Sequence, residues 1–476
     1  MTAPFSASDM RPYLSMFVTT TNPFQTPCRP YLDRLRHQQG TVQRVSSPSA
    51  PSMSLVSAVA LGVGAMVGAG IFALLGEAGA LAGRLTVAAF AVGGVVALLA
   101  AYSYAKLGAR YPSAGGVVEY LTQAFGSGVL AGGLSVFFFG ALIIGTAMVA
   151  KAAGAYSADL LVGDATGVWA NVFSTVIVVA LAAVNIVGAK AVSSAERAIV
   201  AAKLTVLVVF AAVGLVTLQG SLLTTGATPA TSGLVASVGL TFFAYTGFGV
   251  IANTAEDMAD PKRTLPRAIF IAVGVVIVLY LALTLAVFGN LSVADVIAAK
   301  ETALAEAARP VFGQTGFTIM AIAAVLSTAS AINANLYGML NITYFLAKDG
   351  ELPEPFERRV WRNGTEGLLF TTGLVLLLTN FLDLSAIAAV GSTATLLVYL
   401  AVQIGHLRLT DETGASRVVV GLGIAATAWV IGQFVLFTAQ HNPARLGLVA
   451  VFAAVAFATE WILQRTTRRT IRPRIT

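Results

Sequence analysis

The sequence predicts an all-α integral membrane protein with twelve membrane-spanning segments. Hydrophobic residues make up 57% of the chain and charged residues only 11%, whereas soluble domains carry about 25% charged residues. Apolar runs long enough to cross a bilayer repeat from Met53 to Leu463 with short connections. Two of these runs are interrupted at their middles, at Gly68–Phe72 and at Phe242–Gly249. Interrupted membrane helices leave backbone polar groups at bilayer depth, where a buried ligand can satisfy them.

Glycine, proline and clusters of charge divide the apolar sequence into segments of about 20 residues. The twelve spans cover approximately residues 54–80, 84–107, 127–156, 168–188, 195–219, 232–257, 266–289, 312–346, 367–381, 384–407, 418–438 and 445–464. The segment 113–125 and the charged stretch 293–308 are expected to form connecting helices.

The chain therefore has one membrane domain flanked by two tails. Residues 1–52 are polar and rich in Ser, Thr and Pro, so we expect a disordered cytoplasmic N-terminal tail. The membrane domain covers 53–465, with spans 1–5 at about 54–219, spans 6–10 at about 232–407 and spans 11–12 at about 418–464; residues 466–476 form a basic cytoplasmic tail. The only cysteine is Cys28, which excludes a disulfide within the chain.

Basic residues concentrate in alternate connections between the spans. The side that holds both termini carries Lys106, Arg110, Lys190, Arg197, Lys262, Arg263, Arg267, Lys348, Arg358, Arg359, Arg362, Arg408 and Arg417, and the opposite side carries Arg84, Lys300, Arg309 and Arg445. The positive-inside rule therefore predicts cytoplasmic N and C termini. The arginines after span 12 are expected to face anionic membrane lipid, so the net charge of +7 does not indicate a nucleic-acid partner.

Span 1 contains four glycines within nine residues, the last two being Gly68 and Gly70. Each glycine disfavours a helix by about 1 kcal/mol relative to alanine. A break here would free the amides that begin the second half-helix, near Gly70, and these suit a carboxylate. Close packing of span 1 against its neighbours through small residues is the alternative.

A break in span 6 would leave carbonyl oxygens without partners near Phe243–Thr246, and these suit an ammonium group. The phenol of Tyr245 is the only ionisable side chain in either break. Together the two breaks predict a site for a free α-amino acid. Phe243 and Phe248 are expected to pack over it, with packing against lipid or the protein core as the alternative.

Spans 1 and 6 each begin a group of five spans, which predicts two inverted five-span repeats followed by two further spans. Repeats with an odd number of spans insert in opposite orientations, so the two breaks would lie side by side at the midplane. The walls of the site would come from spans 3, 6, 8 and 10.

Lys203 has no position facing water in this arrangement. It lies about 13 Å into span 5, near the middle of a hydrocarbon core about 30 Å thick. A charged side chain costs at least about 2.5 kcal/mol at that depth. Lys203 therefore needs a polar partner, a cavity or the release of its proton.

Several motifs resemble those of the amino acid-polyamine-organocation superfamily. They are Gly68–Phe72, Phe242–Phe248, Ala255–Asp257, Asp260–Ile269 and Phe345–Pro353, within a similarity that covers residues 54 to about 407. The resemblance implies a LeuT-type fold with spans 1 and 6 unwound at the midplane, alternating access, and an amino acid bound between these spans. It further implies that Gly68, Ala69 and Gly70 supply amides to the carboxylate. Carbonyls of Phe243, Ala244 and Thr246 would receive the amine, while Ala69 stands where family members often have serine.

The segment Asn185–Val192 together with Lys203 is similar to span 5 of sodium-independent, proton-coupled prokaryotic members. In those members the lysine ammonium takes the place of a sodium ion. Protonated Lys203 is then expected to bond carbonyls near Gly64 and hydroxyls of Ser327 or Thr328. A purely structural lysine is the alternative.

The sequence thus predicts secondary active transport of amino acids with protons across a prokaryotic cell membrane. Amino acid exchange and sodium coupling are the alternatives within transport, and Lys203 disfavours sodium because two cations would compete for one place. A membrane amino acid receptor would need a sensory domain, and a channel would need rings of polar residues. An enzyme would need a polar cluster at depth, but His37, His406 and His441 fall in tails or loops. No cofactor or metal is expected, and the oligomeric state stays open.

Overall fold

The computed structural model describes residues 53–187, 192–224, 231–348, 359–361 and 364–466. The expected N-terminal tail, residues 1–52, lies outside the described residues; of the expected C-terminal tail, 466–476, only Thr466 is described, as the last residue of α12. Within these ranges the chain is almost entirely helical. Its one sheet is a short antiparallel pair of strands, β1 (Arg359–Trp361) and β2 (Gly364–Thr365).

Twelve main helices match the predicted spans in order. They are α1 (Leu55–Ala82), α2 (Thr86–Arg110), α3 (Val129–Val162), α4 (Val168–Val187), α5 (Val192–Val216), α6 (Thr231–Tyr245), α7 (Pro261–Asn290), α8 (Arg309–Lys348), α9 (Glu366–Phe381), α10 (Leu384–Arg408), α11 (Arg417–His441) and α12 (Pro443–Thr466). Helix α8 is kinked near its start, where Gly313 has a φ of 67°. His406, expected in a loop, lies in the last turn of α10, where it is buried and bonds Thr413 Oγ1 at 3.0 Å.

Short helices join the main ones where the sequence predicted connecting helices. Residues 113–125 contain the helix Val117–Phe125. Residues 293–308 contain Val293–Ala299 and Ala303–Glu306, linked by the 3-10 turn Lys300–Thr302. Other short helices are Gly220–Thr224, Gly249–Ala252 and Thr410–Thr413.

The helices are suited to a membrane. In the described ranges ten helical stretches are long and apolar enough to cross a bilayer, and two shorter apolar ones accompany them, Leu55–Gly68 and Glu366–Phe381. One of the ten, Gly70–Arg110, joins the second half of α1 to α2. Large apolar side chains point outward, for example Val278 of α7 with 69% of its surface exposed. Such a surface is stable in lipid and would be unfavourable in water.

The helices pack in two groups. Helices α1 and α2 contact each other and both contact α6 and α7, and α3 contacts α4, α8, α9, α10 and α12. Helix α5 packs against α7 and α8, and α1 also packs against α8. Helix α1 therefore lies where the two groups meet.

Helix α1 differs from the expectation at its glycines. It is α-helical from Leu55 to Ala82, without an interruption at Gly68–Phe72. The glycines instead allow close contacts, because a Cβ on Gly68 would lie 2.7 Å from Ala331 Cβ and one on Gly70 would lie 2.5 Å from Ala244 O. Each glycine weakens the helix by about 1 kcal/mol relative to alanine, and the satisfied backbone hydrogen bonds together with these close contacts outweigh that cost, so the helix stays intact.

Helix α6 does leave the α conformation inside the predicted stretch. It ends at Tyr245, the 3-10 turn Thr246–Phe248 follows, and a short helix resumes at Gly249. A second 3-10 turn, Ala255–Asp257, precedes α7. The change in helix type falls next to α1, which contacts the 3-10 turn directly.

Candidate functional site

A cavity of about 170 Å³ lies where α1, α3, α6, α8 and α10 meet. Its lining comprises Ala65 and Met66 of α1; Phe138, Ala141, Leu142 and Gly145 of α3; Phe243 and Ala244 of α6; Thr246, Gly247, Gly249, Val250 and Asn253 after α6; Ala331, Ala334, Asn335, Gly338 and Met339 of α8; Thr395 and Tyr399 of α10; and Val117. The volume is many times that needed for one buried water. These are the helices on which the sequence analysis placed the site, with α1 completing the wall.

Every described side chain that lines this cavity is neutral. The polar ones are two threonines, two asparagines and one tyrosine: Thr246, Thr395, Asn253, Asn335 and Tyr399. Tyr399 Oη donates a hydrogen bond of 2.8 Å to the carbonyl oxygen of Thr246, in the 3-10 turn. The cavity therefore offers hydrogen-bonding groups in an apolar wall, without a fixed charge among the described lining residues.

Among the described residues, the cavity is closed at one end and open at the other. At one end Gly145, Phe243 and Ala331 are buried, whereas Ala334 is exposed and Gly338 is half-buried. The open end is also the end at which Val117 and Asn253, from connecting segments, join the lining. Both connecting segments lie on the side where the sequence places the two termini.

The C-terminal end of α1, away from the open end of the cavity, is covered by other segments of the chain. Gly76 packs directly under the carbonyl of Lys300, leaving no room for a Cβ. The backbone of Lys300 has a φ of 45°, a conformation that residues other than glycine rarely adopt. Ser237 Oγ donates to Ala78 O at 3.2 Å. This side is therefore closed around α1 while the other is open.

Of the residues expected to hold a ligand, three of span 6 line the cavity, whereas Gly68 and Gly70 of span 1 do not; the side chain of Ala69 lies outside the described residues. Phe243, Ala244 and Thr246 are among the lining residues, whereas Gly68 and Gly70 are buried against α8 and α6. The amides of Gly68–Gly70 belong to a continuous helix. The structure thus brings α1 to the cavity through Ala65 and Met66.

Tyr245 and Phe248 are buried beside the cavity without lining it. Tyr245 Oη donates to Phe90 O of α2 at 3.0 Å. The ring of Phe248 packs edge-on against Tyr104 and Tyr399, with centroids 5.4 Å and 5.6 Å away. These two aromatic residues support the 3-10 turn rather than face the cavity.

Lys203 is almost completely buried, with 1% of its surface exposed. Its Nζ donates a hydrogen bond of 2.8 Å to the carbonyl oxygen of Gly64 in α1. Gly64 is the carbonyl expected at this position from the sequence. Of the two expected hydroxyl partners, Thr328 donates to Ala324 O of its own helix at 2.7 Å, and Ser327 donates to Val67 O at 3.4 Å. Lys203 thereby links α5 to α1.

Other helices donate to the same stretch of α1. Tyr280 Oη of α7 donates to Met66 O at 2.7 Å and approaches Ala244 O at 3.4 Å. Tyr156 Oη of α3 donates to Phe72 O at 3.3 Å. Together with Lys203 and Ser327, four side chains from four helices bond α1 carbonyls within nine residues. This concentration of donors singles out the middle of α1.

Two of these carbonyls are the helical partners of the glycine amides. In an α-helix the amide of residue i bonds the carbonyl of residue i−4. The carbonyl of Gly64 therefore pairs with the amide of Gly68, and that of Met66 with the amide of Gly70. Because Lys203 and Tyr280 also donate to these carbonyls, opening the helix there would not leave the carbonyls unsatisfied.

Comparison with known proteins identifies the relatives of this chain. The family described as Amino acid permease matches residues 53–459. The chain belongs to this family. The Escherichia coli inner membrane transport protein YbaT is 37% identical over 80% of this chain and 89% of its own length.

Two further relatives of this permease cover most of the same region. An uncharacterized protein from Methanocaldococcus jannaschii, MJ0609, is 36% identical over 88% of this chain and 96% of its own length. The serine/threonine exchanger SteT of Bacillus subtilis is 26% identical over 63% of this chain and 69% of its own length. The family consists of transporters rather than enzymes, and the chain is an integral membrane transporter with a small-molecule substrate.

Sequence reasoning did not single out three tyrosines of this permease, Tyr156, Tyr280 and Tyr399, which donate to carbonyls around the cavity. A tyrosine within an apolar span is the available signal, because its hydroxyl needs a partner when buried. Tyr280 and Tyr399 lie among apolar residues in sequence, so no periodicity indicates which way they face.

Proposed function

We propose that this permease is a proton-coupled amino acid symporter that works by alternating access. The proposal includes a LeuT-type arrangement of two inverted five-helix repeats, α1–α5 and α6–α10, followed by α11 and α12. Support comes from the packing of α1 and α2 with α6 and α7, and from the cavity between α1 and α6. Both termini would be cytoplasmic, so the cavity would open to the cytoplasm.

The amino acid would bind at the junction of α1 and the 3-10 turn after α6. Carbonyl oxygens of Phe243, Ala244 and Thr246 would accept hydrogen bonds from its ammonium group. Its carboxylate would bind the amides of Gly68–Gly70, which requires that α1 open locally. Glycines make such an opening inexpensive, since each weakens the helix by about 1 kcal/mol relative to alanine.

The bond from Lys203 Nζ to Gly64 O carries the proposed proton coupling. When Lys203 is protonated, its ammonium satisfies this carbonyl and leaves the amide of Gly68 free for the substrate carboxylate. A neutral amine donates a weaker hydrogen bond and exerts no Coulomb attraction on the carboxylate. Proton and amino acid therefore each favour the binding of the other, and linkage makes this effect reciprocal. Such mutual dependence is the thermodynamic requirement for symport.

Alternating access would need the two sides of α1 to close in turn. The contacts between Gly76 and Lys300 close the side opposite the termini, and the open cavity faces the other side. Release of the proton from Lys203 towards the cytoplasm would let the Gly68 amide return to Gly64 O. Re-formation of the helix would then expel the carboxylate.

The test is uptake by the purified full-length chain in proteoliposomes that contain no internal amino acid and no sodium. We expect accumulation of amino acid that follows an imposed pH gradient. Uptake that occurs only when the vesicles are preloaded with amino acid would indicate an exchanger. A strict sodium requirement would contradict the role of Lys203.

The Lys203→Ala variant should lose accumulation driven by the pH gradient, because the substituted side chain cannot hold the proton. Lys151→Ala is the matched control. Lys151 is a second lysine in a spanning helix, but its Nζ bonds Asn171 Oδ1 at 2.8 Å and Thr379 O at 3.0 Å, away from α1. We expect this control to keep gradient-driven uptake. If Lys203→Ala inserts normally and still accumulates amino acid along the gradient, Lys203 has only a structural role.

A further inference from the structure

We propose that the closed end of the cavity selects neutral amino acids with apolar side chains, and that the packing of the Phe243 ring against Gly145 sets the largest side chain admitted. This inference rests on the proposed amino acid transport and adds the class of substrate. It follows from the charge and shape of the lining residues.

The first argument concerns charge. No described lining residue of the cavity bears a charge, and its closed end is formed by Ala141, Leu142, Gly145, Phe243 and Ala331. A charged substrate side chain placed there would lose its hydration without gaining an opposite charge, which is strongly unfavourable. Only the amino and carboxylate groups of a zwitterion have proposed partners. The substrate side chain is therefore uncharged, and an apolar one fits the closed end.

The second argument concerns size. Gly145 of α3 faces the ring of Phe243 across the closed end, and a Cβ built on Gly145 would lie 3.3 Å from Phe243 Cζ. No other described atom outside the backbone of α3 lies within 4 Å of that Cβ position. The ring therefore packs directly on Gly145, and an added methyl group would push it away from α3. Because Gly145 has no side chain, the Phe243 ring can lie close to α3, which leaves more room at the closed end for a substrate side chain.

The third argument comes from a glycine at the other end of the same cavity. The lining of α8 runs from Ala331 to Met339, about 12 Å at 1.5 Å per residue. Gly338 lies near the open end, and no described atom is within 4 Å of a Cβ built there. A methyl group on Gly338 would therefore narrow the entrance without reaching the closed end. A substitution at Gly338 therefore tests the entry of the substrate, and one at Gly145 tests the selection of its side chain.

The experiment measures uptake of alanine, leucine, phenylalanine, lysine and glutamate by the full-length chain in proteoliposomes. For the wild type we expect uptake of the apolar amino acids and at least tenfold less uptake of lysine and glutamate. In Gly145→Ala the ratio of leucine to alanine uptake should fall about tenfold or more, the range for one methylene in an apolar pocket. Phe243→Leu, which replaces the ring with a smaller side chain at the closed end, should raise the ratio of phenylalanine to alanine uptake.

Two glycine variants serve as controls. Gly338→Ala should change the uptake of leucine and alanine in proportion, leaving their ratio unaltered. Gly432→Ala, in α11 outside the cavity and with no described atom within 4 Å of the new Cβ, should change neither uptake. It carries the same gain in helix propensity as the other glycine-to-alanine changes.

The outcomes separate the two proposals. Uptake of lysine or glutamate as readily as leucine would overturn the inference on charge and leave amino acid transport intact. Equal losses of leucine and alanine uptake in Gly145→Ala, with no change of ratio in Phe243→Leu, would overturn the inference on size. Uptake of none of the five amino acids, with normal insertion, would overturn the proposed function and this inference together.

Discussion

Tyr280 and Lys203 donate to neighbouring carbonyls of α1, yet their roles in the proposed cycle differ. Both side chains satisfy a carbonyl whose helical partner is a glycine amide. The hydroxyl of Tyr280 keeps its proton throughout, whereas the ammonium of Lys203 is proposed to exchange one. Tyr280 should therefore stabilise the opened form of α1 at every pH, and Lys203 only when protonated.

Replacing Tyr280 with phenylalanine should weaken amino acid binding without altering its pH dependence. The variant removes the hydrogen bond to Met66 O, worth about 0.5–1.5 kcal/mol, so the apparent KM should rise about tenfold at most. Measurements of KM across pH 5–8 would show parallel curves for the variant and the wild type. A changed pH profile would contradict this division of roles.

Tyr156→Phe is the matched control for that experiment. Tyr156 also donates to an α1 carbonyl, but to Phe72 O, beyond the glycines that are proposed to open. Its loss should leave the KM for amino acid unchanged. A similar rise of KM in both variants would mean that α1 is sensitive to any lost donor, and the special position of Tyr280 would be refuted.

At the scale of elements, α1 and the connection after α7 form the closure at the end of α1 opposite Leu55. The backbone of Lys300 lies so close to Gly76 that only glycine fits. The 3-10 turn Lys300–Thr302 joins two short helices that pack on α1. This contact requires a glycine at position 76, so adding a side chain there should disrupt it.

The Gly76→Ala variant should favour opening of this side, because its Cβ would collide with the Lys300 carbonyl. The probe is a cysteine at Ala141, in the cavity lining, in a Cys28→Ser background that has no other cysteine. With an impermeant thiol reagent added from outside the cell, labelling should rise several-fold over the same background with Gly76 intact.

A matched control uses Gly274→Ala in α7, where no described atom lies within 4 Å of the added Cβ. Labelling of the cysteine should there stay at the level of the background. If Gly76→Ala also leaves labelling unchanged while the protein inserts, the contact with Lys300 does not hold this side closed.

At the scale of the whole molecule, the orientation in the membrane can be tested with two exposed alanines. Ala298 lies in the short helix Val293–Ala299, and Ala259 lies just before α7. The distribution of Lys and Arg predicts that Ala298 faces outward and Ala259 faces the cytoplasm. In the Cys28→Ser background, Ala298→Cys should react with an impermeant reagent on intact cells, and Ala259→Cys only after permeabilisation. Labelling of Ala259→Cys on intact cells, and of Ala298→Cys only after permeabilisation, would contradict the proposed orientation.

Local sequence predicted the elements of this permease better than their internal geometry. Spans could be placed because apolar length and charge distribution act over 20 residues, and Lys203 could be placed by depth along its helix. The glycines of α1 predicted a break but instead form close contacts, since a glycine permits both outcomes and only its neighbours decide. Tyr280 and Tyr399 were missed because the facing of a helix that is apolar on all sides is set by tertiary packing.

The single residue Asn442 separates α11 from α12. Helix α11 contacts α2 and α6 of the first group and α10 of the second, whereas α12 contacts α3 and α10 of the second group. One residue spans at most about 3.6 Å, so the two groups cannot drift apart at this end. If the two groups move relative to each other during transport, the end of the bundle that holds the α11–α12 turn can open only by rotation about this turn.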